Sequence, residues 1–416
     1  MPDSTPLRLL LADCRRLLSV RGEANGPLLA QEIMRRVDAL DDAQRSRFFD
    51  RLASDFNPDP QRVLDCARAY AETQGAEQLI RLAHVAEPPR QELFRRLNGA
   101  PGGTAAIVRL RRALLERMAK RPHLSVVEAD LLHLLSSWFN PGFLEMRKVD
   151  WNSPAQLLEQ IIRHEAVHEI DGWDDLRRRL QPDRRCFAFF HPQLPDEPLI
   201  FVEVALLPEM AGAIAPLIDK RSPPLPPDQF KVAVFYSISN CQPGLRGVSL
   251  GNFLIKRVAE HLKGELPQLK TFCTLSPIPS LVGWLQRADV GTLGDTATQA
   301  LARLRQACNG DLAALTQAAR LAALPGDAHH ALWRLAAHYL VQVSPQHDGD
   351  PVARFHLDNG ARLERLNAQA NLSAKGLKQS AGLMVNYLYD LAKIELHHDR
   401  FAHGKVACSR AISALL

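Results

Sequence analysis

The chain has 416 residues, 46% of them hydrophobic and 23% charged. These are ordinary globular values, and at about 150 residues per domain the length predicts two to three domains. They exclude a disordered chain, a collagen-like fibre and a small disulfide scaffold. The formal net charge is +5, from 51 Lys and Arg against 46 Asp and Glu. Spread over this length it is too weak to argue for nucleic acid, and small anionic ligands suit it equally well.

Seven cysteines, odd in number, widely spaced and without a CxxC pair, predict free thiols in a reducing compartment and no zinc ribbon. The opening MPDSTPLRLLLADCRRLLSV lacks the basic start, apolar centre and small-residue cleavage site of a signal peptide. No apolar run reaches about 18 residues, so no membrane span and no membrane partner is expected. The ending Ser413-Ala414-Leu415-Leu416 is not the peroxisomal SKL signal. Cytoplasmic is the expected location.

From residue 5 to about 140 the pattern is helical. Ser4-Thr5-Pro6 places a capping residue and a helix-compatible proline ahead of LRLLLADCRRLL. Apolar residues recur at three- and four-residue spacing in PLLAQEIMRRVDAL, QRVLDCARAYAE and AIVRLRRALLERMAK. Asn25-Gly26, Asn57-Pro58, Pro88-Pro89 and Pro101-Gly102-Gly103 separate the helices. The prediction is an all-helical bundle over 1–142, with its Arg-rich faces in solvent.

After Trp151 the texture changes. CFAFF (186–190), PLIFVEVALL (198–207), FKVAVFYSIS (230–239) and LKTFCTLS (269–276) read as buried strands. LGNFLIKRVAEHLKGEL (250–266) reads as a helix between the last two, which makes a βαβ unit. Residues 280–342 read as a second helical stretch and the tail, 360–416, as mostly helical.

Four motifs carry chemistry. His164-Glu165-Ala166-Val167-His168 fits HExxH, the pattern of a zinc helix with a Glu base. No third ligand follows at a suitable spacing, so no metal site is expected. Gln242-Pro243-Gly244-Leu245-Arg246-Gly247-Val248-Ser249-Leu250-Gly251-Asn252 lies between a strand and a helix, where successive N–H groups make a phosphate cradle. Gly247 and Gly251 would let a ligand approach the backbone. The loop is neither a Walker A nor a GxGxxG sequence. Ser276-Pro277-Ile278-Pro279-Ser280 puts a serine at a strand end held by two prolines, either to project into a cleft or to cap the next helix. His356, in Arg354-Phe355-His356-Leu357-Asp358-Asn359-Gly360, is by itself better read as a hydrogen-bonded core histidine.

The last three motifs, in this order, resemble the malonyl-CoA decarboxylase family. The resemblance is carried by HPQLPDEPLIFVEVAL, FYSISNCQPGLRGVSLGNFLIKRV, TLSPIPSLVGWL, FHLDNGARLERLNAQANLS and SAGLMVNYLYDL, and spans roughly 150–392. It implies a helical N-terminal domain that mediates oligomer contacts and a catalytic domain over 143–416 similar to the GCN5-related N-acetyltransferase (GNAT) fold, with a mixed sheet and extra helices. It places the CoA pyrophosphate on Arg246, Gly247, Val248, Ser249, Leu250, Gly251 and Asn252, with Ser249 where the superfamily usually has Gly. It maps the family's catalytic Ser and His onto Ser276 and His356. It also implies that His164 is incidental to the HExxH match.

The expected reaction is decarboxylation of malonyl-CoA to acetyl-CoA and CO2 with no metal and no cofactor, CoA being part of the substrate. Its enolate-like intermediate would be stabilised and protonated by the Ser276/His356 pair, with Tyr236 and Asn359 as further orienting groups. A homo-oligomer, dimer or tetramer, is expected. The runner-up is an acyl-CoA-dependent N-acyltransferase on the same scaffold; a non-catalytic CoA-binding protein and a zinc protease stand further off. Lys256, Arg257 and Lys263 are the cations nearest the loop in sequence, and Cys241 and Cys273 read as small buried residues.

Overall fold

The structure, a computed structural model, describes residues 4–19, 25–250, 254–289, 291, 293–346 and 349–416. The chain divides into two compact units. The first takes Met1–Glu145, Phe190–Leu199 and Cys241–Leu250; the second takes Met146–Phe189, Ile200–Asn240 and Gly251–Leu416.

The first unit is built on helices α1 (Thr5–Leu18), α2 (Gly26–Asp38), α3 (Asp42–Asp55), α4 (Pro60–Thr73), α5 (Ala76–Ala86), α6 (Pro89–Asn98), α7 (Gly103–Met118) and α8 (Ser125–Trp138). Helix α1 starts with Pro6 in its first turn, and Leu7, Leu10, Leu11, Cys14 and Leu17 form its buried stripe. Ser4 occupies the cap position without a side-chain bond to the helix. A reciprocal capping box between Asp41 and Gln44 opens α3, which buries Phe48, Phe49 and Leu52. Arginines on the outer faces pair along their own helices, as in Arg36–Glu32 and Arg96–Glu92, contacts worth a few tenths of a kcal/mol each. Helices α4 and α5 pack on each other, and neither has a fully buried residue.

The second unit is organised on an eight-stranded sheet of order β1-β2-β3-β4-β5-β8-β6, with β7 pairing β8. The strands are β1 (Glu145–Val149), β2 (Arg184–Phe190), β3 (Ile200–Leu207), β4 (Val232–Asn240), β5 (Thr271–Thr274), β6 (Ser276–Pro277), β7 (Arg362–Asn367) and β8 (Met384–Leu388). β2, β3 and β4 are antiparallel neighbours, and β4 and β5 are parallel. A parallel pair needs a crossover, and α9 (Ala155–His164), α10 (Trp173–Arg179) and α11 (Ala215–Ile218) come before it in the chain. The crossover itself is α12 (Leu254–Glu265). This is the expected βαβ unit. Strands β3 and β4 are buried almost throughout, as their continuous apolar sequences require. Helices α13 (Leu281–Arg287), α14 (Asp295–Ala307), α15 (Ala318–Ala322), α16 (Gly326–His338), α17 (Pro351–Asp358), α18 (Ala374–Ser380), α19 (Ile394–Ala402) and α20 (Arg410–Ser413) complete a mixed α/β domain.

The tail corrects the helical reading of 360–416. Residues Arg362–Asn367 and Met384–Leu388 are strands, and β8 sits between β5 and β6 inside the sheet. Each run is too short to show a helical or strand period clearly. Pairing with strands distant in sequence decides their conformation.

Candidate active site

Strand β5 ends at Thr274, and after Leu275 the chain forms the two-residue strand β6 against Val385 and Met384 of β8. Pro277 and Pro279 have no N–H to extend the ladder, so the chain turns away here. Helix α13 begins at Leu281 with Ser280 at its cap position; Ser276 is therefore not a helix cap. Thr274 and Ser276 are two residues apart, and the Ser276 hydroxyl donates to Thr274 Oγ1 at 2.8 Å.

His356 lies in the last turn of α17. Asp350 caps that helix, its Oδ1 accepting from the N–H groups of Val352 and Ala353 at 3.0 Å each. Its Oδ2 accepts from Ser280 N–H at 3.1 Å. One fully buried carboxylate thus ties the start of the histidine helix to the segment after Ser276. Burial pushes that carboxyl above its usual range, against the pull of the N–H groups it accepts from. Beyond α17 the chain reverses at Gly360 (φ +77°), where a Cβ would stand 2.2 Å from the Ile394 carbonyl oxygen. Only glycine fits there.

These elements bring Ser276 Oγ and His356 Nε2 to 2.9 Å and His356 Nδ1 and the Tyr389 hydroxyl to 2.9 Å. The imidazole stacks on Tyr387, with centroids 4.6 Å apart and planes at 27°. Ser276 is 5% exposed and His356 3%, so the pair is shielded from water. Desolvation lowers the His356 pKa to about 3, so the ring is neutral at ordinary pH. The same burial holds the phenols of Tyr387 and Tyr389 protonated. The Tyr387 hydroxyl is buried without a hydrogen-bond partner.

Tyr236 does not join this pair. With Val232 and Val234 it packs in the cluster containing Cys273 and Leu275. Thr274, between those two in a strand, points to the other face. The electrostatic surroundings of the Tyr236 hydroxyl are Glu203, Arg179 and Arg184. Asn359 closes α17, its Nδ2 donating to Phe355 O at 2.7 Å. Four partners of the pair were not singled out from sequence: Thr274, Asp350, Tyr387 and Tyr389. The alternation in Asn386-Tyr387-Leu388-Tyr389 puts both tyrosines on one face of a strand, a signal lost once the tail is read as helical.

In the first unit, the loop from Cys241 to Leu250 is anchored by α7. Arg111, 1% exposed, donates to the carbonyls of Gly244 (2.8 Å) and Arg246 (2.7 Å) and grips both oxygens of Glu128. Gly244 packs so closely that a Cβ would lie 2.1 Å from the Val108 carbonyl oxygen. Gly247 takes φ +83°, a left-handed turn. The N–H groups of Arg246, Val248 and Leu250 go to turn bonds with Pro243, Leu245 and Val248. Val248 and Leu250 point inward, while Arg246, Gly247 and Ser249 are exposed. Gly251 and Asn252 lie outside the described residues. In the second unit, Lys256 pairs with Glu395 (3.3 Å), Arg257 sits over the Phe189 ring (5.4 Å), and Lys263 is exposed.

The HExxH sequence does not lie on one helix. Helix α9 ends at His164, and Glu165 folds back to accept from Val167 and His168 N–H and from Ser237 and Ser239. The two imidazoles therefore lack the one-turn spacing of a zinc helix. Among the described residues no cluster of His, Cys, Asp and Glu has the arrangement of a metal site.

Residues 142–416 match the family profile described as malonyl-CoA decarboxylase C-terminal domain, and residues 56–139 match that of the malonyl-CoA decarboxylase N-terminal domain. The mitochondrial malonyl-CoA decarboxylase of Anser anser anser is 36% identical over 379 residues, covering 84% of this chain and 75% of that protein. That of Rattus norvegicus is 37% identical over 388 residues, with 84% and 77% covered. The crystal structure of malonyl-CoA decarboxylase from Rhodopseudomonas palustris superposes with a TM-score of 0.88 at 46% identity, over 98% of this chain and 99% of that one. The corresponding values for malonyl-CoA decarboxylase from Agrobacterium vitis are 0.85, 45%, 98% and 99%.

Proposed function

The chain belongs to the malonyl-CoA decarboxylase family, and from that premise we propose that it converts malonyl-CoA to acetyl-CoA and CO2 with Ser276 and His356 as its catalytic pair. The observation that carries the pair is the 2.9 Å contact between Ser276 Oγ and His356 Nε2, with Tyr389 holding the other ring nitrogen.

The thioester is already an electron sink, so the chemistry asks for no metal, Schiff base or other cofactor. The bond from C2 to the carboxylate breaks, its electron pair moves into C1–C2, and negative charge develops on the thioester oxygen. The Ser276 hydroxyl donates to that oxygen, a contact worth roughly 3 kcal/mol for a well-placed donor. C2 then needs a proton. The resting imidazole is neutral, but a substrate carboxylate beside it favours its charged form, so the site takes up a proton with the substrate. Once CO2 has left, His356 gives that proton to C2 and returns to neutral. One proton is consumed per turnover, as the overall reaction requires.

The CoA pyrophosphate is assigned to Arg246, Gly247, Val248, Ser249, Leu250, Gly251 and Asn252. The exposed turn at Gly247 and its anchoring by Arg111 support this. A homo-oligomer, dimer or tetramer, formed through the helical unit is part of the proposal. Leu64, Leu79 and Ile80 on α4 and α5, 43%, 47% and 70% exposed, support it. Among the described residues no helix is long and apolar enough to cross a membrane. A cytoplasmic location completes the proposal; the animal relatives are named as mitochondrial.

Ser276→Ala and His356→Ala are each expected to lower kcat by about 10² or more with folding intact. Near wild-type turnover in either would remove that residue from the mechanism. The second reading, an acyl-CoA-dependent N-acyltransferase, would leave malonyl-CoA unchanged until an amine acceptor is supplied.

A further inference from the structure

We infer that Thr274 is a positioning residue that sets the direction of the hydrogen-bond chain through Ser276 and thereby the tautomer of His356. The inference rests on the decarboxylase reading and deepens it.

Thr274 Oγ1 accepts twice, from the Ser276 hydroxyl at 2.8 Å and from Tyr387 N–H at 3.2 Å. A serine hydroxyl has one proton to give. With that proton on Thr274, the 2.9 Å contact between Ser276 Oγ and His356 Nε2 must be supplied by the ring. Nε2 therefore carries the hydrogen and donates to Ser276. A neutral imidazole has one N–H, so Nδ1 is bare and accepts from the Tyr389 hydroxyl at 2.9 Å. The buried phenol keeps its proton and can serve as that donor. The chain thus runs in one direction, from Tyr389 through His356 and Ser276 to Thr274.

Thr274 is itself held from behind. Its carbonyl accepts from Asn386 Nδ2 at 2.7 Å, and Asn386 Oδ1 accepts from Asn367 at 2.8 Å and Arg365 at 3.1 Å. The direction has a chemical consequence. In a Ser–His pair built for acyl transfer, Nε2 must accept the serine proton to make a nucleophile. Here Nε2 already bears a proton and Ser276 is turned toward Thr274. In the empty site the serine is thus a neutral hydroxyl and not an activated nucleophile. With substrate bound its proton turns from Thr274 to the thioester oxygen, and the ring, charged by the proton taken up with the substrate, gives its Nε2 proton on the serine side.

The experiment is nitrogen-15 NMR of histidine-labelled full-length protein, run beside malonyl-CoA kinetics, on the wild type, Thr274→Val and Thr274→Ser. The wild type is expected to show His356 protonated at Nε2 and bare at Nδ1. Thr274→Val frees the serine proton for Nε2. It is expected to move the ring toward the Nδ1–H tautomer and to lower kcat about tenfold or more with KM within about twofold. Thr274→Ser, which keeps the accepting oxygen, is expected to restore both. A wild-type ring protonated at Nδ1 overturns the inference, and that spectrum decides it even if Thr274→Val fails to fold. So does Thr274→Val with wild-type kcat, or with lowered kcat and unmoved ring resonances. If the wild type leaves malonyl-CoA intact, the functional reading fails, while its spectrum still decides the tautomer.

Discussion

The imidazole of His356 is enclosed by the rings of Tyr387, Tyr389 and Phe355, and among the described residues its hydrogen-bond partners are the Ser276 and Tyr389 hydroxyls and no carboxylate. Charging it in the empty site therefore costs free energy, which drops its pKa from 6.5 to about 3. The unfolded chain takes up this proton below about 6.5, and the folded chain does so only near 3. The unfolded state thus binds more protons across that window, so this residue's effect is a loss of stability as pH falls from about 6.5 toward 3. Glu203, buried and raised from 4.5 to about 8, has the opposite sign: it weakens folding as pH rises between those values. Urea midpoints measured across pH 3–6.5 on the wild type and His356→Gln separate the two, because both proteins keep Glu203. The variant is expected to show the shallower fall on acidification; equal slopes would mean that His356 titrates normally in the folded protein.

At the scale of elements, the site depends on where short segments start and stop. Asp350 caps α17 and holds Ser280 N–H with the same carboxylate. Asp350→Ala leaves those N–H groups unpaired and is expected to cost roughly 1–3 kcal/mol. It should also lower kcat, because the Ser276 and His356 segments lose their common tie. Asp350→Asn keeps an accepting oxygen and should recover most of both in thermal unfolding and turnover assays; an Ala variant with wild-type kcat would deny the tie any role in positioning. Arg111 does the equivalent for the loop in the first unit. Arg111→Met removes the donors to Gly244 and Arg246 and is expected to raise KM for malonyl-CoA about tenfold with little change in kcat. An unchanged KM would separate the loop from CoA binding.

The elements differ in how legible they were in the sequence. Strands β2 to β5 and helix α12 announce themselves, because strands buried along nearly their whole length and an amphipathic helix leave clear apolar patterns. β7 and β8 do not, since five or six residues are too few to show a period. Ser276 and His356 were legible as candidates through the family resemblance of the motifs around them. Tyr389 was not, because its role exists only once the fold closes a gap of 33 residues to His356, and His356 itself reaches Ser276 across 80.

For the molecule as a whole, the change from helical periodicity to apolar strand runs near residue 145 separates a helical unit from an α/β one. The units are not continuous in sequence, however, since Phe190–Leu199 and Cys241–Leu250 cluster with the helices. Loop composition carries no sign of this. It follows from contacts such as Gly244 against Val108 and Arg111 against the loop carbonyls, which only packing creates. The central claim concerns the intact protein acting on one substrate, and one assay tests it most directly. Purified, chelator-treated protein is incubated with malonyl-CoA alone, and the products are followed by mass spectrometry. The account predicts conversion to acetyl-CoA without added metal or amine. Persistence of malonyl-CoA by a folded protein that still binds CoA would contradict it.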